Sequence, residues 1–186
     1  MASDAKSKLR LGFLTAVEIR DRNYVGGLLV TDRFGRPLEF QCTTPVKPNR
    51  TQELLYGPTL VPFIIGELLG KALIDRIKIA PSLLFTDRDE MLLLRPLIEI
   101  PVLSCAKESL ERKSEILPDG SEIHVPSIRV GTQKFVMNPD FASDETLVTR
   151  LTSELSSQAD ISEPLERVSE ALKETMATVI GKPRAA

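Results

Sequence analysis

Apolar positions follow two different periods along this chain. Before Cys42 they come in short runs and in alternation; from Leu60 to Leu73, and from Leu165 to Val179, they recur every three or four residues. A period of two marks a strand with one buried face, and a period near 3.6 marks a helix with one buried side. The first stretch predicts strands at residues 9–19, 24–31 and 37–42, joined by a turn at 21–23 and a hairpin loop at 32–36, where Gly35 suits a positive φ. In the third strand Leu38, Phe40 and Cys42 alternate with Glu39 and Gln41. Links this short imply an antiparallel meander. Gly26-Gly27 inside the second strand predicts a bulge or the close approach of another element.

Asn49 predicts a helix N-cap, with Gln52 three residues on to complete a capping box. This helix should stop at Gly57-Pro58 and restart at Thr59, with Pro62 in its first turn. Leu60, Phe63, Ile64, Leu68, Ala72 and Leu73 form its apolar stripe. Gly66 and Gly70, four apart on one side, predict close packing on the sheet. Residues 78–86 and 98–106 read as strands around a short helix at 87–94 capped by Asp87, a local crossover. Pro118-Asp119-Gly120 predicts an exposed hairpin, and residues 127–137 a returning strand. Ser143 predicts the cap of a helix to about residue 155, and Ser162 the cap of another to about residue 180, closed by Gly181 and Pro183. Leu165, Val168, Leu172, Met176 and Val179 make a narrow stripe on it, opposite Glu166, Arg167, Glu170, Lys173 and Glu174. The fold class expected is α+β, a mainly antiparallel sheet packed by a long central helix with a C-terminal helical pair. A core domain at 1–140 and a helical segment at 141–186, packed on it or on a partner, complete the expected organisation.

Composition narrows the function classes. The chain has 186 residues, 42% hydrophobic and 27% charged, with a net charge of −2, ordinary for one globular unit. That balance offers no basic footprint, so no nucleic acid is expected. No apolar run reaches the length of a membrane span, since Pro62, Glu67, Lys71 and Asp75 interrupt the best candidate. The first residues lack the apolar core of a secretory signal, so the expectation is no membrane and a cytoplasmic location. Cys42 and Cys105 are far apart with no C-x-x-C pairing, and His124 is the sole histidine; no metal site and no cofactor is expected.

Catalytic signatures are absent as well. Ser104 and Cys105 lack the Gly-x-Ser-x-Gly elbow, and no glycine-rich phosphate loop occurs. The repeat of Thr31-Asp32-Arg33 in Thr86-Asp87-Arg88 reads as turn-capping Asp beside solvated Arg. Asp87, Asp89 and Glu90 read as first-turn acids of a helix. One stretch concentrates ligand-competent groups: Thr43, Thr44, Lys47, Asn49 and Arg50, in a loop stiffened by Pro45 and Pro48 that leads into a helix N-terminus. A small anion could rest on those amides with Lys47 and Arg50 closing over it. Two functions follow. The first is a non-enzymatic binding or assembly subunit, taking a protein partner or a second copy through the C-terminal helix. The alternative is a small enzyme, a hydrolase or transferase, acting on an anionic substrate at the Thr43–Arg50 loop, with no catalytic residue assigned.

Overall fold

The computed structural model describes residues 9–105 and 125–180. Seven strands form one sheet in the order β3-β2-β1-β4-β5-β7-β6. They are β1 Arg10–Ile19, β2 Asn23–Asp32, β3 Pro37–Cys42, β4 Leu83–Thr86, β5 Val102–Cys105, β6 Ser127–Val130 and β7 Gln133–Met137. β1, β4 and β5 are parallel, and β2–β3 and β7–β6 flank them in antiparallel pairs. The architecture is α+β, as the apolar pattern implies.

β1 and β2 keep unbroken register from Arg10↔Asp32 to Ile19↔Asn23, so Gly26-Gly27 is no bulge. It is a double close approach. A Cβ on Gly26 would lie 3.2 Å from Leu69 Cβ, and one on Gly27 would lie 2.9 Å from Val168 Cγ1. Each glycine admits a helix onto a different face of the sheet, and each face has its own core. On one, Leu14, Leu28, Val30, Leu84 and Val102 pack against Leu60, Ile64, Ile65, Leu69 and Leu73. On the other, Phe13, Phe85 and Phe135 pack ring to ring at 5.8 and 5.1 Å, under Leu165, Val168, Leu172 and Met176 of the C-terminal helix Ser162–Ile180. β4 is buried at all four positions, the pattern of a parallel strand covered on both sides. Leu165, Val168, Leu172 and Met176 are therefore part of the core and unavailable to a partner.

Several local expectations change for identifiable reasons. Asn49 and Gln52 form the capping box, with both hydrogen bonds at 2.9 Å. The helix Arg50–Tyr56 ends at Gly57 with φ +53, and a 3-10 turn, Gly57–Thr59, leads back into helix as far as Arg76. Phe63–Leu69 is π-helical, so each turn takes one extra residue. The inward positions move from Leu68 and Ala72 to Ile65 and Leu69, and Leu68 is 42% exposed. By length and composition Arg50–Arg76 is apolar enough to cross a membrane; here its apolar side rests on the sheet. Residues 87–94 form no α-helix: a 3-10 segment, Asp89–Leu97, follows β4 and has no side-chain cap. Residues 127–137 form a hairpin rather than one strand, turning at Gly131 with φ +58. Ser143 makes no cap at the helix Asp144–Thr152. Asp160, not Ser162, caps the C-terminal helix, its Oδ1 accepting from the N–H groups of Ser162 and Glu163. The expected hairpin at Pro118–Gly120, and His124, lie outside the described residues.

Candidate active site at the carboxyl edge of the parallel strands

The chain builds β2 and β3 on one side of β1, then returns to place β4 on the other. The order of strands reverses between β1 and β4, and in open sheets with parallel strands such a reversal leaves a crevice at the carboxyl ends. Leu14 pairs with Thr86 and Thr86 with Ser104, so three hydroxyl residues, Thr15, Thr86 and Ser104, stand at this edge. All are buried, at 1%, 0% and 0% exposure, and each hydroxyl finds a partner in the segment leaving β4. Thr15 Oγ1 donates to Asp87 Oδ1 at 2.6 Å, Thr86 Oγ1 accepts from the Arg88 N–H at 3.0 Å, and Ser104 Oγ donates to Asp89 Oδ1 at 2.5 Å. Buried hydroxyls need partners, and these three bonds hold Asp87–Asp89 against the sheet edge. Asp87 is thus not the helix cap that its position in sequence suggested. Asp89 and Glu90 are also engaged, Glu90 with the Arg88 guanidinium at 3.2 Å.

A recess of about 290 Å³ opens here, between the sheet edge and one flank of the C-terminal helix. Asp87 and Cys105 line it from the sheet, and Glu166, Ser169, Glu170 and Lys173 from the helix. These helix positions are three and four apart, one continuous polar side. Glu166, Glu170 and Lys173 are exposed, as the sequence pattern implies, and Ser169 is half-buried beside them. The recess holds three carboxylates and one ammonium, a setting for moving protons or for binding cations. Among the described residues no group of three or more His, Cys, Asp or Glu lies close enough together to hold a metal ion, and one Asp87 oxygen already accepts from Thr15.

The loop singled out from sequence lies at this same end of the sheet, because Val46 bridges Tyr24 and Tyr24 opposes Glu18 late in β1. Three strand spacings, about 14 Å, separate β3 from β4. Thr43 is structural: its Oγ1 accepts from the Gly26 N–H at 3.0 Å. Asn49 is occupied as the cap. Arg50 pairs with Glu53 at 3.0 Å, and Glu53 also receives Arg22 at 3.2 Å. These contacts, the Arg50 hydrogen bond first, hold the Glu53 carboxyl below its ordinary value. Thr44 and Lys47 are exposed. The two Thr-Asp-Arg copies sit at opposite ends of the sheet, since β2 opposes β1 while β4 runs with it.

No family model and no curated protein matches this chain in sequence. Solved structures match its fold. The catalytic domain of human endonuclease V superposes with a TM-score of 0.57 at 13% identity, over 96% of this chain and 86% of that one. The fold is that of endonuclease V. Human endonuclease V itself gives 0.51 at 13% identity, over 94% and 87% of the two chains. Endonuclease V of Ciona intestinalis, solved with a 24-mer DNA containing an inosine followed by a ribo-adenosine, gives 0.50 at 11%, over 94% and 89%. This likeness overturns three expectations: a non-enzymatic assembly subunit, protein binding with oligomerisation, and no nucleic acid. The physical reasons are local. The helix thought to hold a partner is buried in the core, and a whole-chain charge of −2 averages over an acidic recess and separate clusters of arginine.

Proposed function

We propose that this protein is an enzyme acting on the phosphodiester backbone of nucleic acid, in the recess between Asp87 and the C-terminal helix. One observation carries the reading: on an endonuclease V fold, the strand-order reversal between β1 and β4 coincides with a recess whose wall carries a carboxylate positioned by a buried hydroxyl. The second Asp87 oxygen takes a proton from an attacking water as general base, the water oxygen bonds to phosphorus, and the P–O bond to one strand oxygen breaks, that oxygen leaving with a proton from solvent. Lys173 faces the phosphate and offsets the charge that builds on its oxygens. The described donors do not form a metal site, and no step here depends on one. Three carboxylates would repel a phosphate chain by themselves, so the strand is held by cations beyond the recess. Lys47 and Arg50, at the same end of the sheet, serve that role, which keeps the anion-binding part of the loop reading. The cytoplasmic location expected from the sequence is kept as part of this proposal.

The test is strand cleavage with end-labelled DNA and RNA, one set containing inosine, comparing the wild type with Asp87→Asn and Lys173→Ala. Shortened products from the wild type, reduced at least about a hundredfold by Asp87→Asn, are the expected result. Equal cleavage by wild type and Asp87→Asn, or intact strands with enzyme in excess, would refute it.

A further inference from the structure

The β2–β3 hairpin lies on the other flank of the C-terminal helix, at the opposite end of β1 from Asp87. Its turn is complete without the side chain at its tip. Asp32 Oδ1 accepts from the N–H groups of Phe34 and Arg36 at 2.8 and 3.0 Å, Gly35 provides φ +80, and Arg167 Nη2 donates to the Gly35 carbonyl at 3.4 Å. Nothing in this turn requires an aromatic side chain, yet Phe34 stands there 73% exposed. The Arg33 guanidinium lies 4.7 Å over the centre of its ring. Neither Arg33 nor Arg36 has a carboxylate partner among the described residues, and both are exposed. The nearby acids are all engaged: Asp32 by the turn, Asp160 by the helix cap, and Glu163 by Arg167 at 2.9 Å. A recess of about 340 Å³ adjoins the tip, lined by Leu11, Phe13 and Ile161 among others, at the small end of the range of ligand pockets.

We propose that this hairpin is a docking surface for single-stranded nucleic acid, with an unpaired base stacked on Phe34 and the flanking phosphates on Arg33 and Arg36. The charge complementarity is direct, two uncompensated guanidinium groups against a phosphate chain. The exposed ring selects a strand over a duplex, because only an unstacked base offers a free face. Arg33, its guanidinium already over the ring, extends the stacking platform. The inference rests on nucleic acid as the partner and adds where the strand is gripped away from the recess.

The experiment is fluorescence anisotropy of labelled 12-mer oligo(dT) and oligo(U) with the full chain, wild type against Phe34→Ala and the double variant Arg33→Ala/Arg36→Ala, each checked for folding by circular dichroism. Phe34→Ala should weaken binding at least about fivefold. The arginine pair should lower the slope of log affinity against log salt by about 1.4. A bromouracil-substituted strand should crosslink within the hairpin. Wild-type binding unchanged in both variants overturns the docking surface and leaves the proposed activity standing. Hairpin-dependent binding without strand cleavage by the wild type supports the surface and removes the activity. Failure of the wild type to bind either strand overturns both.

Discussion

Gly66 and Gly70 are chemically identical positions in sequence, yet the structure predicts opposite outcomes for the same substitution. Alanine in place of a helical glycine favours folding by about 1 kcal/mol through backbone entropy, and that gain applies to both. The contacts do not. A Cβ on Gly70 would meet the ends of the Leu94 side chain, at 3.0 and 3.3 Å, whereas one on Gly66 would stand 2.2 Å from the Glu90 carbonyl oxygen. Real Cβ atoms essentially never come within 3.0 Å of a neighbour, so Gly66→Ala must push two backbones apart by most of an ångström. The backbone displaced is that of the 3-10 segment Asp89–Leu97, anchored through Met91 and Leu94, both fully buried. Overpacking of this kind costs about 1–3 kcal/mol, and a carbonyl that cannot rotate away belongs in the upper part of that range.

The net expectation is a loss of about 1–2 kcal/mol for Gly66→Ala, and a change within about 1 kcal/mol of zero for Gly70→Ala, where a leucine can change rotamer. Urea unfolding of the two variants beside the wild type gives the comparison directly. In a chain of this size the first should also melt about 2–6 °C lower. Gly66→Ala as stable as Gly70→Ala would mean that the helix and the 3-10 segment are not in contact, and the placement of Asp87–Asp89 at the sheet edge would fall with it.

Asp144→Ala should cost about 3 kcal/mol in urea titration, because it strands Arg95, 14% exposed and bonded to both carboxylate oxygens at 2.6 and 3.0 Å. Adding Arg95→Met should recover much of the loss, and a single-variant cost below about 1 kcal/mol would show the pair to be solvated. Glu39 accepts from the Gln41 amide and from the N–H groups of Ile79 and Lys78, which hold its carboxyl below 4.5 in the folded chain. A lowered folded value means stability present above 4.5 and lost as pH falls through the lowered value. Thermal melts from about pH 6 down to about pH 3 should therefore fall less steeply for Glu39→Gln than for the wild type, and parallel curves would remove Glu39 as a contributor.

Strands and helices were legible wherever burial on one face enforced a period. The β1–β2–β3 meander, the Asn49–Gln52 cap and the stripe of the C-terminal helix all came from alternation, turn chemistry or spacing. The errors occur where a second constraint overrode the period. The π segment Phe63–Leu69 shifts the inward face by one residue, and no residue type announces it. β3 is an edge strand beyond the rim of the C-terminal helix, so Leu38 and Phe40 stay 43% and 39% exposed despite clean alternation, while Glu39 turns inward to hold the backbone at Lys78 and Ile79.

The recess was hidden for a topological reason. Thr15, Asp87, Ser104 and Glu170 are spread over most of the chain, and each has an ordinary local explanation: strand residue, helix cap, strand residue, solvated acid. Only the return of the chain to the far side of β1 brings them together, and no local pattern encodes which side β4 takes. A signal was nevertheless present. Thr15, Thr86 and Ser104 are hydroxyls in runs otherwise apolar enough to be buried on both faces. A buried hydroxyl requires a partner, and the acids nearest in sequence to Thr86 were Asp87, Asp89 and Glu90. Asking which acid each hydroxyl bonds, rather than which helix each acid caps, leads to the pairing of Thr15 with Asp87 and from there to the wall of the recess.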